Sequence, residues 1–194
     1  MQKLFRRIKK LKANSFTLVE LLVVISIIGL LAGLAVPAIQ GGLDKAKQGV
    51  DVSNARQLGI IFFSEANDNN GVYRVNSELT NTQAAQNFVT ILQGMISNGL
   101  ITTPKILSGH GTTPATSTNN IVANNVAFAY VPNLTTSDDG NIPLIFTKGP
   151  TSLAQSNISL LDSYPWKKKG LVVYRLGNSS EFLKSGTLGA AAGS

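Results

Sequence analysis

The feature that most constrains this chain is an apolar run over residues 16–36, which ends at Pro37 and contains Glu20 as its only charged residue. A helix of this length measures about 31 Å at 1.5 Å per residue, close to the roughly 30 Å hydrocarbon core of a bilayer. Basic residues flank the run only on its N-terminal side. The positive-inside rule therefore places residues 1–15 in the cytoplasm and the rest of the chain outside.

The formal net charge of +7 is concentrated before the apolar run. Six of the 17 basic residues precede it, which leaves 11 basic residues against 10 acidic ones elsewhere. A nucleic-acid-binding domain needs a basic face on its folded part. After the apolar run, only Trp166 and the three lysines that follow it could indicate such a basic face. A solvated turn before a strand is the preferred interpretation of these lysines. No nucleic-acid partner is therefore expected. The six leader residues are Lys3, Arg6, Arg7, Lys9, Lys10 and Lys12.

The polar residues offer little for catalysis. The sequence has no cysteine, which excludes disulfides, cysteine-ligated metals and a cysteine nucleophile. His110 is its only histidine, lies in a predicted loop over residues 108–120, and is expected to be exposed. Because no nucleophile–base set, metal cluster or phosphate-binding loop is recognisable, the chain is expected not to be an enzyme and to need no cofactor.

Two general explanations fit the N-terminal block. In a secretory signal, small residues at Gly33 and Ala35 would allow cleavage after Ala35, although the apolar run exceeds the usual length of about 7–15 residues. A plain signal anchor explains the length and the orientation. It gives no role to Glu20, whose carboxylate costs free energy within a membrane.

A third explanation comes from the segment "SFTLVELLVVISIIGLLAGLAVPAI" and its basic leader. This combination resembles the N-terminal cleavage and methylation segment of type IV pilins and type II secretion pseudopilins. In that family, prepilin peptidase cuts before the phenylalanine and methylates the new amine. The resemblance implies cleavage between Ser15 and Phe16 and N-methylation of Phe16. Ser15 stands where the family usually has glycine.

The resemblance also assigns a role to the acid within the apolar segment. The acid that matches Glu20 is thought to attract the N-terminus of a neighbouring subunit, which would set the register of packed helices. A carboxylate and an ammonium are each costly when buried alone and less costly as a pair. Pro37 is expected to kink the helix without ending it, because a helical pattern resumes after it.

The pattern after Pro37 predicts an α+β fold, in which the N-terminal helix continues and a small antiparallel β-sheet head follows. The resemblance implies that this fold is pilin-like, with a long N-terminal helix that is membrane-spanning in its first half. A second helix is predicted over residues 82–98, with Gly99 as its C-cap. Strands are predicted at residues 126–131, 143–147, 171–176 and 181–183. The predicted divisions are a cleaved leader (1–15), a transmembrane and assembly segment (16–36), an amphipathic continuation (37–66), the head (67–184) and a disordered tail (185–194).

Two further features concern the head. Residues 51–75, "DVSNARQLGIIFFSEANDNNGVYRV", resemble the segment that follows the pilin helix in prepilin-like proteins of planctomycete and verrucomicrobial bacteria. Asp138, Asp139 and Asn141 place oxygen donors around a glycine. Because major pseudopilins often bind calcium in a C-terminal loop, calcium is a minor alternative here to a turn of the Asp-Gly type that joins two strands.

The resemblance implies a structural subunit that polymerises into a type IV pilus or a type II secretion pseudopilus. Its expected location is the bacterial inner membrane, with a single pass, a cytoplasmic N-terminus and a periplasmic head, and then the filament. Expected partners are prepilin peptidase, copies of itself and other pilin-like subunits, the membrane-embedded assembly machinery and the lipid bilayer. The alternative is a non-polymerising, membrane-anchored exported binding or interaction protein with a prepilin-like export signal.

Overall fold

The structure is a computed structural model that describes residues 16–73, 84–148, 166 and 169–184. Helix α1 spans Leu18–Asp68 and helix α2 spans Ala84–Ser97. Four strands follow: β1 at Phe128–Tyr130, β2 at Pro143–Thr147, β3 at Gly170–Arg175 and β4 at Ser180–Lys184. Short 3₁₀ helices lie at Pro104–Leu107 and Ala123–Asn125. The predicted α+β class, with a long first helix and a small antiparallel sheet, is confirmed.

Helix α1 contributes to two compact units, Met1–Leu43 and Asp44–Ser194. In the first unit, every described residue from 16 to 43 is exposed. Pro37 lies inside the helix, as predicted, since α1 continues to Asp68. Among the described residues, α1 is the one helix long and apolar enough, by length and composition, to cross a membrane.

The core of the second unit forms on one face of α1. Ala55, Leu58, Phe62 and Ala66 recur at three- and four-residue spacing and are almost completely buried, as expected for one stripe of an amphipathic helix. They belong to one apolar cluster with the inward side chains of α2 and of the sheet. That cluster includes Phe88, Leu92, Met95, Phe128, Leu144, Ile145, Val172 and Tyr174.

Helix α2 ends at Ser97, and Gly99, the glycine predicted to cap it, follows two residues later. Gly99 has φ +74°, a backbone conformation that favours glycine. Its N–H donates to the Ile96 carbonyl at 2.9 Å, and the next N–H, of Leu100, donates to the Met95 carbonyl at 2.9 Å. These two bonds form a Schellman motif, which satisfies carbonyls left open at a helix end.

The sheet has the order β1-β2-β3-β4, and every neighbouring pair is antiparallel. The prediction for β2 is correct to the residue, while β1 is shorter than predicted and β3 begins one residue earlier. Alternation along β3 sends Val172 and Tyr174 into the main core and Leu171 and Val173 to the opposite face, where both are also buried.

Two glycines of α1 provide a test of how tightly the helix packs on the sheet. A Cβ at Gly59 would overlap the ring of Tyr174, whereas a Cβ at Gly49 would meet no other segment within 4 Å in the part of the chain that the structure describes. We expect Gly59→Ala to lower the free energy of unfolding of the head by about 1–3 kcal/mol through overpacking. Gly49→Ala should raise it by up to about 1 kcal/mol through helix propensity.

Urea denaturation of the full chain in detergent, followed by circular dichroism, measures both changes. Equal effects of the two substitutions would contradict this packing.

Candidate processing and assembly site

The N-terminus of α1 is closed by a reciprocal pair of side chains, Thr17 and Glu20. The Glu20 carboxylate oxygen Oε2 accepts hydrogen bonds from the Thr17 backbone N–H at 2.9 Å and from the Thr17 hydroxyl at 2.7 Å. The Thr17 Oγ1 in turn accepts the Glu20 backbone N–H at 3.2 Å. This is a capping box, in which two backbone N–H groups at a helix start find side-chain acceptors.

The capping box gives Glu20 a local role that the sequence analysis missed. The sequence does contain the pattern of a capping box, since "TLVE" places a threonine three residues before a glutamate. The carboxylate also lies in the first turn of α1, where the helix dipole favours negative charge. Glu20 therefore stabilises the helix start of a single chain, independently of any neighbouring subunit.

Of the other predicted site residues at this end of the chain, the structure describes Phe16 and Pro37. Phe16 directly precedes Thr17, and its side chain is 69 % exposed. Ser15 lies outside the described residues, so cleavage between Ser15 and Phe16 stays a prediction. Pro37 lies inside α1. A kink at Pro37 also stays a prediction.

The surface of α1 between the cap and Pro37 is apolar and lacks neighbours among the described residues. Its large side chains are all about half exposed or more. No other segment of the described structure would lie within 4 Å of a Cβ added at Gly29 or Gly33. The Ser26 hydroxyl donates to the Leu22 carbonyl at 2.7 Å, so this polar group is satisfied within the helix. Such a surface needs lipid or other helices to remove it from water.

A second polar cluster lies in the head, around Asp51 of α1. Asp51 is only 1 % exposed. Its carboxylate accepts the Trp166 indole N–H at 2.8 Å and the His110 backbone N–H at 3.0 Å and 3.1 Å. The centroid of the Trp166 ring lies 4.5 Å from that of His110 and 5.3 Å from that of Phe182, and the second pair is arranged edge to face. One buried carboxylate thus binds two segments that are distant in the sequence.

The ionisation of Asp51 reflects opposing effects. Burial raises the pKa of its carboxyl group, and this is the largest effect. Hydrogen bonds from Trp166 and His110 and the nearby His110 ring act in the opposite direction, and the net pKa is raised above its ordinary value. The ionised form is therefore less favourable in the folded head than in an unfolded chain.

The environment of His110 corrects one expectation. His110 does lie in the predicted loop, but the expectation that it is exposed was wrong, since it is half-buried against Trp166. Gly109 allows this approach, because a Cβ there would lie 2.8 Å from the Asp51 Oδ1 and 2.9 Å from the Ala127 Cβ.

The region that follows Trp166 is only partly described. Trp166 itself is 3 % exposed and belongs to the interior, which the sequence did not indicate. Lys169 is exposed, as expected of a solvated turn, and its ammonium pairs with the Asp44 carboxylate. That pair and the attraction of Lys47 lower the pKa of Asp44. Lys167 and Lys168 lie outside the described residues.

The proposed calcium ligands form a turn. Asp138 Oδ2 accepts the Thr135 N–H at 2.7 Å, and Asp139 Oδ1 accepts the Asn141 N–H at 2.9 Å. Such bonds between short polar side chains and nearby backbone are typical of turns. Within the described ranges, no group of three or more His, Cys, Asp or Glu side chains could hold a metal ion. Calcium binding at this turn stays a prediction.

Comparison with known families identifies the N-terminal segment. Residues 10–36 match the family model described as the prokaryotic N-terminal methylation motif. This match confirms the resemblance seen in the sequence and is consistent with type IV pilin-like and pseudopilin-like proteins. No curated protein and no solved structure matches the chain significantly. The motif indicates prepilin-type processing and an export signal, and with the long apolar helix it fits membrane anchoring.

The raised pKa of Asp51 predicts how the stability of the head changes with pH. Above pH 3.8, the ordinary pKa, the folded head retains this proton to a higher pH than an unfolded chain does. The contribution of Asp51 to the free energy of unfolding should therefore fall as pH rises through the raised pKa. Asp51→Asn has no carboxyl proton and should lack this contribution.

Urea denaturation of both full chains from pH 4 to pH 7, followed by circular dichroism, tests this expectation. The stability of the wild type minus that of Asp51→Asn should decrease toward pH 7. An increase toward pH 7, or a constant difference, would show that the carboxyl pKa is not raised.

Proposed function

We propose that this chain is a structural prepilin or pseudopilin subunit, which prepilin peptidase processes between Ser15 and Phe16 and which then polymerises into a type IV pilus or a type II secretion pseudopilus. The observation that carries the proposal is the methylation motif over residues 10–36. Most of that motif lies on α1, whose later residues enter the core of a folded head. We assign the chain no catalytic or cofactor role.

The chemistry of processing fits the geometry at the start of α1. Cleavage would remove all six basic leader residues and leave an ammonium on Phe16. In the described structure both hydrogen bonds to the Glu20 carboxylate use Oε2. A carboxylate has two acceptor oxygens, so Oε1 could accept the ammonium of a neighbouring subunit while Oε2 retains the cap.

The exposed surface of α1 supplies the driving force in this proposal. The apolar side chains of residues 18–36 would lie in lipid while the subunit resides in the inner membrane, with a cytoplasmic N-terminus and a periplasmic head. In a filament they would pack against the helices of other subunits, where small residues permit close approach. Apolar packing is non-directional, and the carboxylate–ammonium pair would therefore set the register. The membrane-embedded assembly machinery would act on the head and the helix during transfer.

The first test concerns the processed N-terminus. Mass spectrometry of the native protein should show a chain that begins with N-methylated Phe16. Ser15→Gly introduces the residue that the family usually has before the cut, and it should be processed at least as completely. An intact leader, or cleavage after Ala35, would contradict the proposal. A processed protein that stays entirely in the membrane fraction would support the non-polymerising, anchored alternative.

The second test separates the two roles of Glu20. Glu20→Ala removes both the cap and the carboxylate, whereas Thr17→Val removes the side-chain half of the cap and leaves the carboxylate. We expect Glu20→Ala to reduce co-assembly with wild-type subunits at least tenfold, because a buried ammonium would lose its partner. Thr17→Val should retain most assembly.

Co-assembly is measured as the fraction of tagged variant in sheared filaments. Equal loss in both variants would indicate that Glu20 acts only as a helix cap. Wild-type assembly of Glu20→Ala would show that the carboxylate has no role between subunits.

A further inference from the structure

The contacts that α1 makes within the second unit change in character along the helix. Over residues 55–66 the contacts are mainly apolar, and six residues are buried. Over residues 44–54, Asp51 alone is buried. The buried residues of the later stretch are Ala55, Leu58, Gly59, Phe62, Glu65 and Ala66.

The earlier stretch is held mainly by polar contacts from three parts of the head, although Val52 is partly buried and also packs against the apolar core. Besides the bonds to Asp51, the loop before β1 provides the Ser108 carbonyl, which accepts the Asn54 side-chain N–H at 3.0 Å. The start of β4 provides the Ser180 hydroxyl, which donates to the Val52 carbonyl at 2.9 Å. The segment before β3 provides the Lys169–Asp44 ion pair. We call these contacts to residues 44–54 the polar clamp.

Polar contacts of this kind stabilise a fold less than apolar burial does. An exposed ion pair such as Lys169–Asp44 contributes little, because water screens and solvates both charges. A hydrogen bond replaces a bond to water, so its net contribution is small compared with burial of a leucine or phenylalanine. Opening the polar clamp also returns the Asp51 carboxylate to water, which recovers part of the solvation lost on burial.

The clamp and the apolar core therefore differ in what their opening exposes. Separation at residues 55–66 would hydrate Leu58 and Phe62, which are at most 1 % exposed. Separation of His110 and Trp166 from Asp51 breaks bonds that water can replace. The Trp166 ring is only 3 % exposed, but it can keep its contacts with His110 and Phe182, which both lie outside α1. Local openings of low free energy occur where apolar burial is sparse and polar contacts predominate.

We propose that the polar clamp is a separately opening unit, in which the His110 loop and Trp166 release residues 44–54 of α1 while residues 55–66 remain packed in the core. Asp51 is the residue on which its closed state depends, because it binds both His110 and Trp166. The clamp is a property of one subunit and does not depend on polymerisation. In a subunit that leaves a membrane for a filament, it would let the head adjust its hold on the helix without unfolding.

Hydrogen exchange at two backbone amides measures the opening of the polar clamp and of the apolar core separately. The His110 N–H donates to the Asp51 carboxylate and reports the clamp. The Val172 N–H donates to the buried Thr147 hydroxyl at 3.0 Å and reports the core. Hydrogen exchange of the full chain in detergent micelles, measured by NMR, should show faster exchange, corrected for intrinsic rates, at His110 than at Val172.

Substitutions of Asp51 then test whether this residue keeps the polar clamp closed. Asp51→Ala should accelerate exchange at His110 about tenfold or more, because two donors lose their acceptor, and should leave Val172 almost unchanged. Asp51→Asn keeps the size and one acceptor oxygen and should have a smaller effect, which provides a variant that folds if Asp51→Ala does not. Asp68→Ala removes an exposed carboxylate from the same helix and should change neither amide.

A core substitution provides the opposite control. Leu58→Ala should accelerate exchange at Val172, since it leaves a cavity in the apolar core. Equal acceleration of both amides by Asp51→Asn would show that clamp and core open as one unit. Unchanged exchange at His110 in both Asp51 variants would show that Asp51 does not hold the clamp. Either result would overturn the proposal.

Discussion

Burial of one face of α1 between residues 55 and 66 is the interaction on which the head depends. Leu58 and Phe62 are buried in one apolar cluster with side chains of α2 and of the sheet, and Gly59 lets the Tyr174 ring lie directly against the helix backbone. This face removes large apolar side chains from water, which is the main favourable contribution to folding. Before Asp44 the same helix has no such face, and its apolar residues are exposed. One helix therefore serves a folded head and also presents a surface for lipid or other helices.

The Glu20 carboxylate at the start of the apolar run is consistent with a single chain in lipid and also with packed helices. In a single chain, Glu20 caps the helix through Thr17, so the acid has a stabilising role before any assembly. Within lipid, a carboxylate that accepts two hydrogen bonds is less costly than an unbonded one. Because the cap uses only one oxygen in the described structure, the same residue can still bind an ammonium. Capping and subunit pairing are therefore compatible roles.

Local patterns predicted most elements of the fold, since periodicity and end signals act over a few residues. The strand at Pro143–Thr147 and the αL glycine Gly99 are examples. The Asp51 cluster was not predictable in this way. Its partners lie 59 and 115 positions further along the chain, and Asp51 itself fits the polar side of an amphipathic helix. The cap at Glu20 was predictable from "TLVE", which places a threonine three residues before a glutamate.

The hydrogen bonds of Asp51 explain why the head retains a buried carboxylate at this position. Burial of the carboxylate disfavours its ionised form, as its raised pKa indicates. An apolar residue at this position would avoid that cost but would leave the Trp166 indole N–H and the His110 N–H without an acceptor. The carboxylate therefore determines which turn of α1 these segments contact, whereas apolar packing alone would tolerate neighbouring positions. Its contribution is specificity of docking, and the same polarity leaves that contact easier to open than the core beside it.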